Sequence, residues 1–264
     1  VRPYKEGFYH PFNWRGFIEF GGGAFGDMGC HTMNMPFRGL KLADVTEAES
    51  MIADDRNSET YPSRNAVRLR YAARTDMPAV DMFWYDGGVL PSAEIMPQVV
   101  ATMGEVPKSG SLMIGEKGIM LSTGDYGETA YVALKGEDKV RSVSKHEAVT
   151  VIPETLARCK NEESAELHKE ARFVQRDGEW KMISMGVSPS RANHRSEFVR
   201  ACKGEARCYS DIDVSVPMME GVLVGCAAQI VPGKLVWDTR TQTFKGNRDG
   251  NRLVTPHIRK GWEY

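Results

Sequence analysis

Cysteine is scarce and unhelpfully spaced. The 264 residues hold five, Cys30, Cys159, Cys202, Cys208 and Cys226, at neither the short intervals of a zinc site nor those of a small disulfide scaffold. Cys202 and Cys208 could bridge, but two unrelated thiols suit the pattern better. Net charge is equally slight, 34 basic residues against 35 acidic ones leaving −1. With both signs spread along the chain there is no basic stripe for nucleic acid and no polybasic anchor for a membrane surface. No apolar run approaches the ~20 residues of a membrane span, and no signal-peptide pattern opens the chain. Internal repeats and low-complexity tracts are lacking too. What these absences leave points to one soluble domain, near the upper end of single-domain size and long enough to bury a real core.

Glycine is well supplied, and its placement between residues 21 and 31 supports two incompatible readings. Gly21, Gly23 and Gly26 satisfy G-x-G-x-x-G, the dinucleotide fingerprint. That fingerprint should follow a continuously apolar buried strand, yet Trp14–Phe20 carries Glu19 near its end. It should open a helix whose free N–H groups meet a pyrophosphate, yet Asp27 falls in the first turn. A second parallel strand should end in a ribose-binding carboxylate. Asp44 and Glu47 lie in range, but Ala43–Ala53 alternates weakly and has no buried-strand core. The context therefore favours a tight turn into a helix, with Gly23 kept as the one candidate cofactor contact.

That helix is predicted over about 23–36. Asp27, His31, Asn34 and Arg38 recur at helical spacing, while Phe25, Met28, Thr32 and Met35 lie on another side and can face a core. Pro36 should kink or end the helix. A polar stripe is usually a solvated face, but Asp-His-Asn is a poor choice for one, since Glu and Lys form helices better.

Further along, Val67, Leu69 and Tyr71 alternate with Arg68 and Arg70 as a half-exposed strand, and Ala79–Tyr85 forms a second. Ser111–Ile114 and Gly118–Leu121 flank a Gly-Glu-Lys-Gly turn as a hairpin; Thr129–Lys135 and Ala148–Ile152 add strands. Ala171–Met185 is another hairpin with Asp177-Gly178 at its turn. Helices follow at about 191–203, ended by Gly204, and about 216–230, with Pro217 in its first turn and Gly221 and Gly225 permitting close packing. One helix followed by a run of strands predicts an α+β domain with an open, mainly antiparallel sheet and helices on one face.

Arg2-Pro3-Tyr4, Phe8 through Gly16, Gly26 through Phe37, Trp84-Tyr85-Asp86-Gly87-Gly88, Ile114 through Gly118 and Arg259 through Glu263 occur in an order that resembles the Gfo/Idh/MocA family, the glucose–fructose oxidoreductase and inositol dehydrogenase relatives. The likeness covers most of 1–155 and 190–264; about 160–188 fits poorly and reads as an insertion. It implies a C-terminal α+β domain of the dihydrodipicolinate-reductase-like kind, with the N-terminal Rossmann domain, and its Glu-Lys-Pro segment, missing from a chain that begins at Val1.

The implied chemistry is hydride transfer between NAD or NADP, bound mainly by the missing domain, and a secondary hydroxyl of a sugar, polyol or glycoside. The resemblance gives active-site roles to Asp27 and His31: a proton-exchanging imidazole and a carboxylate that orients it or binds a hydroxyl. Asn34, where many relatives have Asp, can bind a hydroxyl but cannot act as a base. Asn13, Trp14, Arg15, Trp84, Tyr85 and His194 are candidate substrate contacts, although packing is the commoner use of rings such as Trp14, Trp84 and Tyr85. Two other functions stay open: a glycoside-cleaving or lyase enzyme using transient oxidation, and a non-catalytic carbohydrate-binding or assembly domain. The expected partners are a small carbohydrate and a second copy of the chain, bound through apolar surface on the open sheet. No metal, nucleic acid or membrane is expected, and the compartment, cytoplasmic or periplasmic in a bacterium, is left open.

Overall fold

A computed structural model describes residues 3–10, 12–74, 76–125, 129–149, 173–176, 179–182, 198–205, 208, 210–255, 258 and 260–261. The chain divides into two units, Val1–Val143 with Asp213–Tyr264, and Ser144–Ile212. In the first, α1 (Gly23–Thr32) and α2 (Asn34–Gly39) precede β1 (Val45–Asp54), β2 (Arg64–Tyr71) and β3 (Val80–Asp86). Helix α3 (Pro97–Met103) leads into β4 (Gly110–Gly115), β5 (Gly118–Thr123), β6 (Thr129–Leu134) and β7 (Arg141–Ser142). The second unit contributes the hairpin β8 (Phe173–Arg176) and β9 (Glu179–Met182). The first unit resumes through α4 (Ile212–Ile230), β10 (Lys234–Asp238), β11 (Thr243–Phe244) and α5 (Arg248–Val254).

Two antiparallel sheets carry the first unit, in the orders β11-β10-β1-β2-β3 and β4-β5-β6-β7. The α+β class with antiparallel sheets is as predicted, although the strands form two sheets rather than one. In β2 the predicted alternation holds: Val67, Leu69 and Tyr71 are fully buried, and the intervening arginines face the other way. There Arg68 pairs with Glu49 (3.1 Å), Arg70 with Asp81 (3.0 Å) and Lys234 with Glu47 (2.6 Å). The sheet face away from the helices is thus a lattice of ion pairs with Met51 and Phe83 exposed among them. It is more polar than the apolar surface expected from sequence, because β1 and β2 spend their outward positions on charge.

Helices α1, α2 and α4 cover the inner face, where Phe25, Phe37, Val45, Val67, Leu69, Tyr71, Val222 and Leu235 form the core. The seam between α1 and α4 is built on missing side chains. A Cβ on Gly29 would meet Val222 at 3.2 Å and one on Gly225 the Phe25 ring at 2.2 Å; on the side of α4 toward β2, one on Gly221 would meet the Tyr71 hydroxyl at 2.1 Å. Gly221 and Gly225 permit close packing as predicted. Pro217 lies inside α4 rather than in its first turn, because the helix starts earlier, at Ile212.

Pro36 does not end the helical run. The break comes at Met33, between α1 and α2, and Pro36 sits in the first turn of α2, where its missing N–H costs little. The carbonyl four residues before it belongs to Thr32, and the Ser111 hydroxyl of β4 donates to it at 2.6 Å. A residue of the second sheet thus satisfies the acceptor that proline leaves open. On that sheet's other face, Met96 and Val99 pack on Ile119, Leu121, Ala133 and Val140.

Some predicted and observed elements differ. Residues 147–148 form a turn instead of the start of a strand, and 150–152 lie outside the described residues. The hairpin around 171–185 is found, its Asp177-Gly178 turn falling outside the described residues. Residues 198–202 are helical, the earlier part of that predicted helix being outside them. Strand β1 was not anticipated as such: only Val45 and Ala48 are buried in it, and register shifts between Val45 and Glu47 and between Ser50 and Ile52 break the period of two. Helix α3 bears a readable signature, Pro97 at its first position and Gly104 (φ +83°) after its last.

Candidate active site on helix α1

The chain enters α1 through a fold-back. Residues 14–16 make one 3₁₀ turn, after which Phe17 bridges Thr60 and the Tyr61 N–H donates to the Gly16 carbonyl (2.9 Å). Gly21 then passes so close to the Arg15 backbone that a Cβ would lie 2.6 Å from it. Gly23 adopts φ +67° with the Tyr61 ring where its side chain would be (2.7 Å). The Cys226 thiol donates to the Gly22 carbonyl at 3.3 Å. Every glycine of the fingerprint therefore faces protein: Arg15, Tyr61 and, for Gly26, the Cys226 sulfur at 3.4 Å. The strand that follows the helix pair, β1, runs antiparallel to both its neighbours. These residues do not form a pyrophosphate cradle, and Gly23 lies buried beneath Tyr61.

On the opposite side of α1, Asp27 and His31 are both exposed, one turn apart. The Arg15 guanidinium donates to the Asp27 carboxylate, each side chain being partly exposed, and lies 4.1 Å from the centre of the Phe12 ring. One turn beyond His31, Arg38 Nε donates to Asn34 Oδ1 at 3.0 Å. The structure thus brings Arg15, Asp27, His31 and Asn34 onto one helical stripe with its flanking turn. The buried side of α1 and the residues just after it is Phe25, Gly29 and Met33; Met28, Thr32 and Met35, expected to face the core, are only half-buried.

The other sequence candidates fall in different places. Asn13 and Trp14 are exposed beside Arg15. Trp84 points inward from β3, stacks on Phe25 with ring centres 4.6 Å apart and planes at 11°, and donates its N–H to Asp86 at 2.6 Å. Tyr85, its neighbour in sequence, faces the ion-pair side of the sheet beside Phe83 (6.4 Å). The structure does not bring Tyr85 to α1. His194 lies outside the described residues.

A polar group that the sequence reading passed over lies behind α1. Asp86 accepts from both Trp84 and the buried Asn65 amide (3.2 Å); burial lifts its carboxyl above the usual range, and these two hydrogen bonds partly offset the rise. Burial, then the Asp86 charge, pushes the Cys226 thiol up to about 12. Cys30 is raised more mildly, by burial and then by Asp27. The spacing of Trp84 and Asp86 on one strand face was the available signal. Cys30, Cys202, Cys208 and Cys226 are all free thiols. Among the described residues no three His, Cys, Asp or Glu side chains group to hold a metal, and no helix is long and apolar enough to cross a membrane.

The chain matches no protein-family model and no curated protein. Among solved structures it is similar to the crystal structure of an oxidoreductase from Sinorhizobium meliloti, at 13% identity and a TM-score of 0.39. That similarity covers 83% of this chain and 51% of the other, so the chain spans about half the length of the protein it matches.

Proposed function

We propose that this chain is the substrate-binding and catalytic part of an NAD(P)-dependent oxidoreductase acting on a secondary hydroxyl of a sugar, polyol or glycoside. The observation that carries the reading is the exposed pair Asp27 and His31 on α1, with Arg15 anchored to Asp27. In this reading the imidazole of His31 takes the hydroxyl proton as the carbon is oxidised and returns it in the reverse direction. The Asp27 carboxylate accepts a hydrogen bond from a neighbouring hydroxyl while Arg15 holds it in place. Asn34, tied to Arg38, contributes a polar edge without acting as a base.

A bound nicotinamide would supply the hydride acceptor. Its phosphates do not fit the glycines of this chain, which are filled by Arg15, Tyr61 and Cys226, so the reading assigns the dinucleotide to a domain outside these 264 residues. The reading also includes self-association through the ion-pair sheet face, where Met51 and Phe83 are exposed.

The test is turnover of the protein as its gene encodes it, followed by reduced-nicotinamide absorbance against sugars, polyols and glycosides. His31→Ala should lower kcat by about 10²-fold or more, the usual worth of a positioned acid–base, and Asp27→Asn should lower it less. Undiminished turnover in both variants would sink the site assignment. A cleaved glycoside with no net cofactor reduction would move the reading to a redox-assisted lyase.

A further inference from the structure

We infer that Asp86 is a positioning residue for α1: it fixes the Trp84 indole on which Phe25 rests, and so sets the direction in which Asp27 and His31 point. This inference rests on the oxidoreductase reading above and adds to it a residue that does not itself touch the substrate.

Phe25 is fully buried, and it reaches β3 by stacking face to face on Trp84, with ring centres 4.6 Å apart. Its other neighbours leave it no room to retreat. A Cβ on Gly225 of α4 would lie 2.2 Å from the ring, and one on Gly29, a turn further along α1, would lie 2.8 Å from it. The ring thus sits in a slot of which Trp84 is one wall. Phe25 and Asp27 stand two residues apart on α1, which places them about 200° apart around its axis. A tilt of the indole therefore turns or lifts the helix, and the exposed groups on its outer side move with it.

What holds the indole is a carboxylate. Trp84 donates its N–H to Asp86 at 2.6 Å, and the Asn65 amide donates to the same carboxylate at 3.2 Å. Glu47, Glu49, Asp54, Asp81 and Asp238, the other acidic residues on the five-stranded sheet, are each paired with a lysine or arginine. Asp86 meets no basic side chain among the described residues, and burial raises its carboxyl above the ordinary range. An amide at this position would accept the same indole proton without the cost of a half-buried charge. The Asn65 amide, whose Oδ1 is buried without a partner among the described residues, can turn over to suit it. Folding alone therefore does not call for a carboxylate here. What the carboxylate adds is the shorter and stronger bond of a charged acceptor, and hence a firmer hold on Trp84.

The experiment compares the full gene product with its Asp86→Asn, Trp84→Phe and doubly substituted forms, by turnover of the best sugar, polyol or glycoside and by proton–nitrogen correlation spectra of the free proteins. Asp86→Asn should lower kcat by about tenfold with KM little changed, well inside the roughly 10²-fold that a 1 Å misplacement can cost. It should do so while being no less stable than wild type above the carboxylate pH range. Turnover and stability then move in opposite directions, which a purely structural carboxylate does not produce. Trp84→Phe keeps a ring for Phe25 but loses the donor, so adding Asp86→Asn to it should cost little more, because both act through one bond. In the spectra the backbone amides of Asp27 and His31 should shift in each variant. Unchanged kcat in Asp86→Asn, losses that multiply in the double variant, or stationary Asp27 and His31 amides overturn the inference. A wild type that turns over none of these compounds overturns the oxidoreductase reading instead, and the amide shifts still decide whether Asp86 sets α1.

Discussion

Gly221→Ala is a substitution for which two physical effects predict opposite signs. In an ordinary helix interior, alanine is favoured over glycine by about 1 kcal/mol, and Gly221 lies inside α4 without a positive φ. Against this stands the Tyr71 hydroxyl, 2.1 Å from where the new Cβ would be, with the ring carbon behind it at 3.1 Å. Tyr71 is fully buried and packs edge-on to Phe37 (5.9 Å, 78°), so it cannot swing away cheaply. Forced overpacking costs about 1–3 kcal/mol, and at this separation the upper part of that range applies. The net expectation is a destabilisation of about 1–2 kcal/mol, or a fall in Tm of about 3–6 °C for a chain of this size.

The second half of the test is rescue. The Tyr71 hydroxyl is buried without a hydrogen-bond partner among the described residues, so Tyr71→Phe alone should be near neutral or mildly stabilising. Combined with Gly221→Ala it removes the clashing oxygen and should recover at least about 1 kcal/mol, seen as a coupling energy in a double-mutant cycle. Denaturant unfolding of the four proteins, with m-values compared, measures this directly. A stabilised Gly221→Ala, or a double variant no better than Gly221→Ala alone, would refute the close α4–β2 approach.

Three further predictions concern other parts of the fold. Asp86 has its pKa raised in the folded state, so its ionisation opposes folding: the cost is absent at acid pH and sets in as pH rises from the ordinary carboxylate value through the raised one. Asp86→Asn should therefore gain stability relative to wild type as pH rises through that window, and a constant or reversed difference in Tm would contradict the burial argument. Of the four described thiols, mass-spectrometric mapping should find exposed Cys202 alkylated first and Cys226, buried with its thiol raised to about 12, modified only on unfolding; early labelling of Cys226 would count against its packing on Gly22. Ser111→Ala leaves the Thr32 carbonyl without its donor and should cost about 1 kcal/mol, checked by chemical denaturation, whereas Ser111→Thr should retain much of the bond.

How far the fold was legible depended on whether a side chain or its absence carried the signal. The alternation in β2 and the hairpin at Gly115–Gly118 are written in side chains and were readable. The exposed stripe of Asp27 and His31 was readable for the same reason. The buried face of α1 was not, since Gly29 contributes nothing to an apolar pattern although its bareness is what Val222 presses against. The fingerprint glycines mislead for a related reason: a phosphate loop and a close approach of protein to backbone both demand a missing Cβ, and the letters do not say which. Trp84 and Tyr85 were grouped as neighbours in sequence, although the period of a strand sends them to opposite faces. Asp86 escaped notice because its partners, Asn65 and Trp84, come from two strands whose register no sequence pattern displays.

The α1–α4 seam also sets an order of events in time. The Cys226 thiol that meets Gly22 lies 204 residues further along the chain, and β10, which flanks β1 in the larger sheet, arrives later still. During synthesis the segment bearing Asp27 and His31 can pack on β1–β3 soon after it is made, but the side of its inner face that meets α4 waits for the later part of the chain. Contacts of such separation slow folding and prolong the exposure of apolar surface. A ribosome stalled before residue 213 would hold a site helix packed on β1–β3 alone, with the apolar side that α4 covers still bare.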